Sequence, residues 1–212
     1  MGKINTGILG GFTGKVGTVV GGKWKGIDYI RVKGMPSNPN TEGQIKQRTK
    51  FATTVAFLKP AIGFIRAGFN QYAIKKTEMN VATAQILKEA FDEDGALDMS
   101  KVLFSDGSLP NPDSNSAIWD DVAEAIDITF DTSIWGDAKD TDKHCYLIYN
   151  TEKGELIYNL KDVDRSVGVS EIPVPERWMN DTVHIYSSFS DEKGKLFSKS
   201  MYLGSIELTP AP

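Results

Sequence analysis

The side chains with the most obvious chemical potential are two histidines, one cysteine and two groups of acids. His144 and Cys145 are neighbours, and a nucleophile–base pair needs thiol and imidazole within hydrogen-bond reach. Adjacent residues of a strand point to opposite faces, so adjacency separates these two. His184 stands alone in another strand-like stretch, and each histidine reads as a satisfied sheet residue. Asp137, Asp140 and Asp142 resemble a cation loop, but an EF-hand needs acids at alternate positions, then glycine and a later glutamate. The irregular spacing and the missing glycine favour a solvated turn, with adventitious calcium as the other reading. Asp120, Asp121 and Glu124 offer the neighbouring carboxylates that glycoside hydrolysis uses, although a run of acids is ordinarily a solvated face. Gly10 to Lys15 invites a phosphate loop, which needs Gly, four residues, then Gly-Lys-Ser/Thr. Leu9 and Val16 stand where the first glycine and the hydroxyl belong, leaving turn glycines.

A single cysteine excludes an intramolecular disulfide framework. Two histidines and one cysteine supply few ligands for structural zinc. We therefore expect no catalytic residues, no cofactor and no metal, and the chain reads as a protein that is not an enzyme.

Charge is more informative. Residues 1–76 hold 13 Lys and Arg against Asp28 and Glu42, a net +11, and the remainder holds 11 basic against 26 acidic residues, a net −15. Such asymmetry points to an electrostatic partner. Lys15, Lys23, Lys25, Arg31 and Lys33 are interleaved with Trp24 and Tyr29, the combination that single-stranded nucleic-acid surfaces use. The same cations can instead meet the acidic half of another copy, and self-assembly is preferred because the opposite charge lies on the same chain. Trp119, Trp135 and Trp178 fall near strand ends or turns, where they either stack on sugars or a protein partner or pack in the core. Core packing is the expectation for most of them.

The elements that must position these residues come in two styles. Residues 7–34 alternate glycines with short β-type pieces, Val16–Val20 and Ile27–Val32, which predicts a glycine-rich β-ribbon with tight turns. A ribbon alone buries little. After a Pro-rich breaker at 35–40, Gln44–Leu58 predicts a helix with Phe51, Val55 and Leu58 on its inner face. Pro60 opens a second helix, and Asn80–Phe91 gives a third. Residues 98–104 read as a strand. From Asp120 the alternation has period two, at 126–130, 144–149, 155–160, 167–174, 183–189 and 197–208, with turn residues at Lys153-Gly154, Asn180-Asp181 and Lys193-Gly194. Short strands so spaced predict an antiparallel β-sandwich of the immunoglobulin or fibronectin III kind. The fold class is α+β, mainly β. Expected boundaries are a basic module over 1–104, a linker over 105–118 and an acidic sandwich over 119–212.

Gly14-Lys15-Val16-Gly17, Trp24-Lys25-Gly26, Tyr29-Ile30-Arg31, Thr41-x-x-Gln44, Gln47-Arg48-x-Lys50-Phe51 and Ser198-x-Ser200-x-Tyr202-Leu203-Gly204 resemble an uncharacterised family of unknown function abundant in Bacteroidota. That resemblance implies no activity and no ligand, so it assigns no site residues. Asn38-Pro39-Asn40-Thr41 with Gln44-Ile45-Lys46-Gln47-Arg48 is more loosely similar to bacteriophage structural proteins.

No apolar run reaches the roughly 18 residues of a membrane span, so no membrane insertion is expected. The start runs into glycines instead of an apolar signal core, which suggests cytoplasmic synthesis, with a virion or an extracellular assembly as destinations. Gly2 and Thr6 fit a myristoylation pattern short enough to arise by chance. The expected role is a structural homo-oligomer, with Gly14, Val16, Gly17, Val19, Trp24, Tyr29 and Arg31 as assembly contacts. The alternative is a binding module for carbohydrate, protein or nucleic acid.

Overall fold

The computed structural model describes residues 3–4, 10–35, 40–93 and 95–210. The myristoylation-type pattern at Gly2 and Thr6 and the Pro36–Pro39 half of the breaker lie outside these residues. The chain divides into two compact units, Met1–Thr41 and Glu42–Pro212.

The first unit is an antiparallel meander of β1 (Lys3–Ile4), β2 (Phe12–Val16), β3 (Val19–Trp24) and β4 (Ile27–Val32), in that order. The turns from β2 to β3 and from β3 to β4 are the two-residue kind that suit twisted hairpins. Val16 pairs with Val19 around Gly17-Thr18, and Gly17 takes φ 57°, the type II′ pattern. Trp24 pairs with Ile27 around Lys25-Gly26, where both residues have positive φ, 48° and 87°, as a type I′ turn requires.

The second unit has three layers. Helices α1 (Glu42–Leu58), α2 (Ile62–Gly68) and α3 (Glu78–Glu89) form the first. The middle layer is a four-stranded sheet in the order β11-β10-β7-β8, and the third is a three-stranded sheet in the order β5-β6-β9. Their strands are β5 (Asn115–Asp120), β6 (Ala125–Phe130), β7 (Lys143–Asn150), β8 (Glu155–Asn159), β9 (Val169–Pro173), β10 (Thr182–Ser190) and β11 (Met201–Glu207). Period two sends alternate side chains of the middle sheet to different cores. Cys145 and Leu147 of β7 and Tyr186 of β10 meet Phe57, Leu58, Phe64, Ile65 and Ile86 of the helices. Ile148, Val183, Ile185 and Phe189 meet Ile126, Ile128 and Ile172 of the third layer, with Trp178 and Leu208 closing the ends. All of these side chains are buried. Three helices and antiparallel sheets thus make an α+β, mainly β, fold.

Several boundaries differ from expectation. The helices belong with the sheets, so the division falls at Thr41–Glu42 and not at 105–118. Residues 105–118 do not separate domains. Ser105 is fully buried and donates to the Ser198 carbonyl at 2.9 Å, Leu109 N–H donates to the Phe197 carbonyl at 3.0 Å, and the stretch runs into β5. Residues 99–101 form a 3-10 turn where a strand was expected. Asp98 caps it, accepting from Ser100 N–H at 3.0 Å. Helix α1 buries Thr54, Phe57 and Leu58, whereas Ile45 and Phe51 are exposed. Of the expected inner face Leu58 is buried and Val55 half-buried, and the other buried side chains, Thr54 and Phe57, stand one position earlier. α3 falls where it was expected, N-capped by Thr77, whose hydroxyl accepts from Asn80 N–H at 3.3 Å.

Candidate functional site

The ribbon is the surface on which the expected contacts can be judged. Residues directly opposite on paired strands share a face. The register Lys15–Val20–Arg31, Gly22–Tyr29 and Trp24–Ile27 therefore places Lys15, Val20, Arg31, Tyr29, Trp24 and Ile27 on one face. The other face carries Gly14–Gly21–Ile30, Val16–Val19–Val32 and the Lys23–Asp28 pair. Of the seven expected contacts, Trp24, Tyr29 and Arg31 come together. Gly14, Val16 and Val19 lie on the reverse, and Gly17 forms the turn.

Glycine has a positional reason at the ribbon's centre. A Cβ on Gly21 would stand 2.1 Å from the Phe12 carbonyl oxygen, and one on Gly22 would stand 2.8 Å from the Tyr29 ring. Aromatic rings thus lie over the two central glycines, one on each face, in place of side chains. Trp24, Ile27 and Tyr29 surround an open apolar depression, and the Lys25 ammonium sits 4.8 Å from the Trp24 ring centroid, within cation–π range. Even so, Trp24 is 66% exposed, Ile27 69% and Ile30 64%. Ile27 and Lys15 were not among the expected contacts. Pairing Trp24 with Ile27 across the Lys25-Gly26 turn was the signal for the first of these.

The buried titratable groups do other work. Cys145 faces the helical core, and its thiol donates to the Leu160 carbonyl at 2.9 Å. Burial pushes its pKa up to about 12, so it stays an inert thiol. His144 faces the opposite core, stacked on Phe130 at 4.8 Å, with Nε2 3.0 Å from the Ser187 hydroxyl. Asn115 also donates to that hydroxyl, at 2.8 Å. Asp162 lies 3.9 Å from Nδ1, beyond hydrogen-bond reach. An Asp–His–Ser order therefore exists, but Ser187 is sealed in mid-strand. A nucleophile there would meet no substrate, so the group is a polar node between sheets. Burial holds the His144 pKa below its ordinary value, keeping the ring neutral. His184 places Nδ1 2.9 Å from the Tyr202 hydroxyl.

The acid groups are structural as well. Asp142 is buried and accepts from Lys139 N–H at 2.8 Å. Asp120 accepts from Val122 and Ala123 N–H, at 2.9 and 3.0 Å, which folds the β5–β6 turn. Among the described residues, no three His, Cys, Asp or Glu side chains converge where an ion could be held. Trp178 is buried and donates to Glu155 at 3.0 Å, and Trp119 packs on the core and donates to the Thr209 carbonyl at 3.0 Å. Trp135 is exposed. Among the described residues, no helix is long and apolar enough to cross a membrane.

A family model matches residues 11–204, both units together, and the chain belongs to that family of unknown function, DUF6266. No curated protein and no solved structure matches the chain.

Proposed function

We propose that this chain is a non-enzymatic structural protein that self-associates through its N-terminal ribbon and displays an immunoglobulin-like sandwich. The observation that carries the reading is the exposure of large apolar side chains on both faces of a ribbon too thin to have a core of its own. Soluble monomers rarely leave contiguous apolar surface uncovered. β4 is also an edge of its sheet, and edges of this kind pair with strands of other chains. The sandwich assignment is supported by strand order: β5-β6-β9 facing β11-β10-β7-β8 is the arrangement of A-B-E and G-F-C-C′ strands in a fibronectin III domain. The loose similarity to phage structural proteins extends the proposal to a component of a virion or another multi-subunit assembly, made in the cytoplasm.

A second reading has one observation in its favour. Lys15, Arg31, Trp24 and Tyr29 share a face, as cations and stacking rings do on single-stranded nucleic-acid surfaces. That reading predicts bound nucleic acid removable by salt.

The test is sedimentation of nuclease-treated full-length protein beside a variant lacking residues 1–34. Self-association through the ribbon predicts an oligomer for the first and a monomer for the second. An unchanged native mass on deletion would sink the reading.

A further inference from the structure

We infer that the surface receiving the ribbon is the outer face of the β5-β6-β9 sheet on a second copy of this chain. The inference rests on the self-association reading and adds the receiving surface. Inward alternation of Ile126, Ile128 and Phe130 leaves Asp127 and Thr129 on the outer side. The register then assembles that side as rows: Ile118–Asp127–Glu171, and Ser116–Thr129–Val169. Ile118 is 62% exposed, and Glu171 and Val169 are exposed as well. Nothing in the second unit covers them.

Charge names the occupant. Residues 102–138, which include β5 and β6, hold eight acids and no lysine or arginine, and β9 adds only Glu171. The Trp24–Tyr29 face of the ribbon offers Lys15 and Arg31 and no acid, because Asp28 lies on the reverse paired with Lys23. Each surface also carries apolar side chains, Ile118 and Val169 on the two edge strands of one, and Trp24, Ile27 and Tyr29 toward the Lys25-Gly26 end of the other. Strands β3, β4, β5 and β6 are six residues each, about 20 Å, so the surfaces match in length.

The sheet also carries a local conflict. Asp127 and Glu171 stand directly opposite each other on neighbouring strands, and like charges so placed destabilise a sheet. A cation docked across them removes that repulsion. Conflicts of this kind are where a sequence departs from folding consistency in favour of function. The contact joins two different patches, so it runs head to tail, closing as a ring or continuing as a filament.

The test uses full-length protein and sedimentation. D127K/E171K and K15E/R31E should each weaken association at least about tenfold, since like-charge juxtaposition at an interface is strongly unfavourable. Mixing the two should restore growth, because the cationic ribbon of the first then meets the acidic sheet of the second, and the acidic ribbon of the second meets the cationic sheet of the first. The quadruple variant should regain assembly. D127N/E171Q guards against misfolding: it removes the sheet's own repulsion, so it should melt no lower than the parent yet associate more weakly. If deletion of residues 1–34 abolishes assembly while D127N/E171Q and D127K/E171K leave it intact, the ribbon docks elsewhere and this inference fails while self-association stands. If the deletion itself changes nothing, the reading beneath it fails too.

Discussion

Burial decides the chemistry of His144. Its ring is enclosed by Phe130 and Phe189, with centroids at 4.8 and 5.3 Å, and its pKa lies below the ordinary 6.5 because desolvation disfavours the cation. The half-buried His184 shifts the same way for the same reason. The unfolded chain therefore takes up these protons first. The histidine contribution to stability is held above about pH 6.5 and is lost as pH falls through that value, until the folded rings also titrate. Urea unfolding of His144→Gln should show a shallower fall in stability between pH 6.5 and 5, by at most about 1.4 kcal/mol per pH unit. A fall as steep as the parent's would mean that His144 carries none of it. The separation of His144 from Cys145 was legible in the sequence, because it follows from strand geometry alone. Its actual partner, Ser187, was not: it lies 43 residues away, and only the β7–β10 register brings the two together.

Elements were legible where local chemistry determines them. Helix α3 and the alternating strands β6, β7, β8, β9 and β10 carry their signals in a few residues, whereas the Gly17-Thr18 turn interrupts Val16–Val20, which read as one strand, and Gly21-Gly22 lies inside β3. What local pattern cannot carry is the partner of an element. β7 and β10 show one alternation whether one face or both are buried, so the docking of the helices on the middle sheet was hidden. β5 was hidden by its neighbours, since Pro110 and Pro112 make the preceding stretch look like a linker. That stretch is in fact tied down, to Phe197 by the Leu109 N–H and to Ser198 by the Ser105 hydroxyl. The ribbon offers the clearest test at this scale. In Gly21→Ala the new methyl must displace the Phe12 backbone, 2.1 Å away, and so part β2 from β3. We expect association to drop at least about tenfold, as loss of a central interface element does, while the melting transition of the second unit is unchanged. Retained association in calorimetrically normal protein would show that the β2–β3 pairing is dispensable for assembly.

At the scale of the molecule the dominant feature is the division of charge, +11 over residues 1–76 and −15 over the rest. That division was plain in the sequence, but its geometry was not, because only strand register shows which cations share a face with Trp24 and which acids share a face with Ile118. Exposed charges separated by more than a Debye length of about 8 Å at physiological salt are screened, so assembly steered by them must weaken as salt rises. The most direct measurement is the native mass of purified, nuclease-treated full-length protein by light scattering, at low and at high salt. The account predicts oligomers at low salt that dissociate toward the 23.3 kDa monomer as salt is raised. A monomer at both salt concentrations would contradict it.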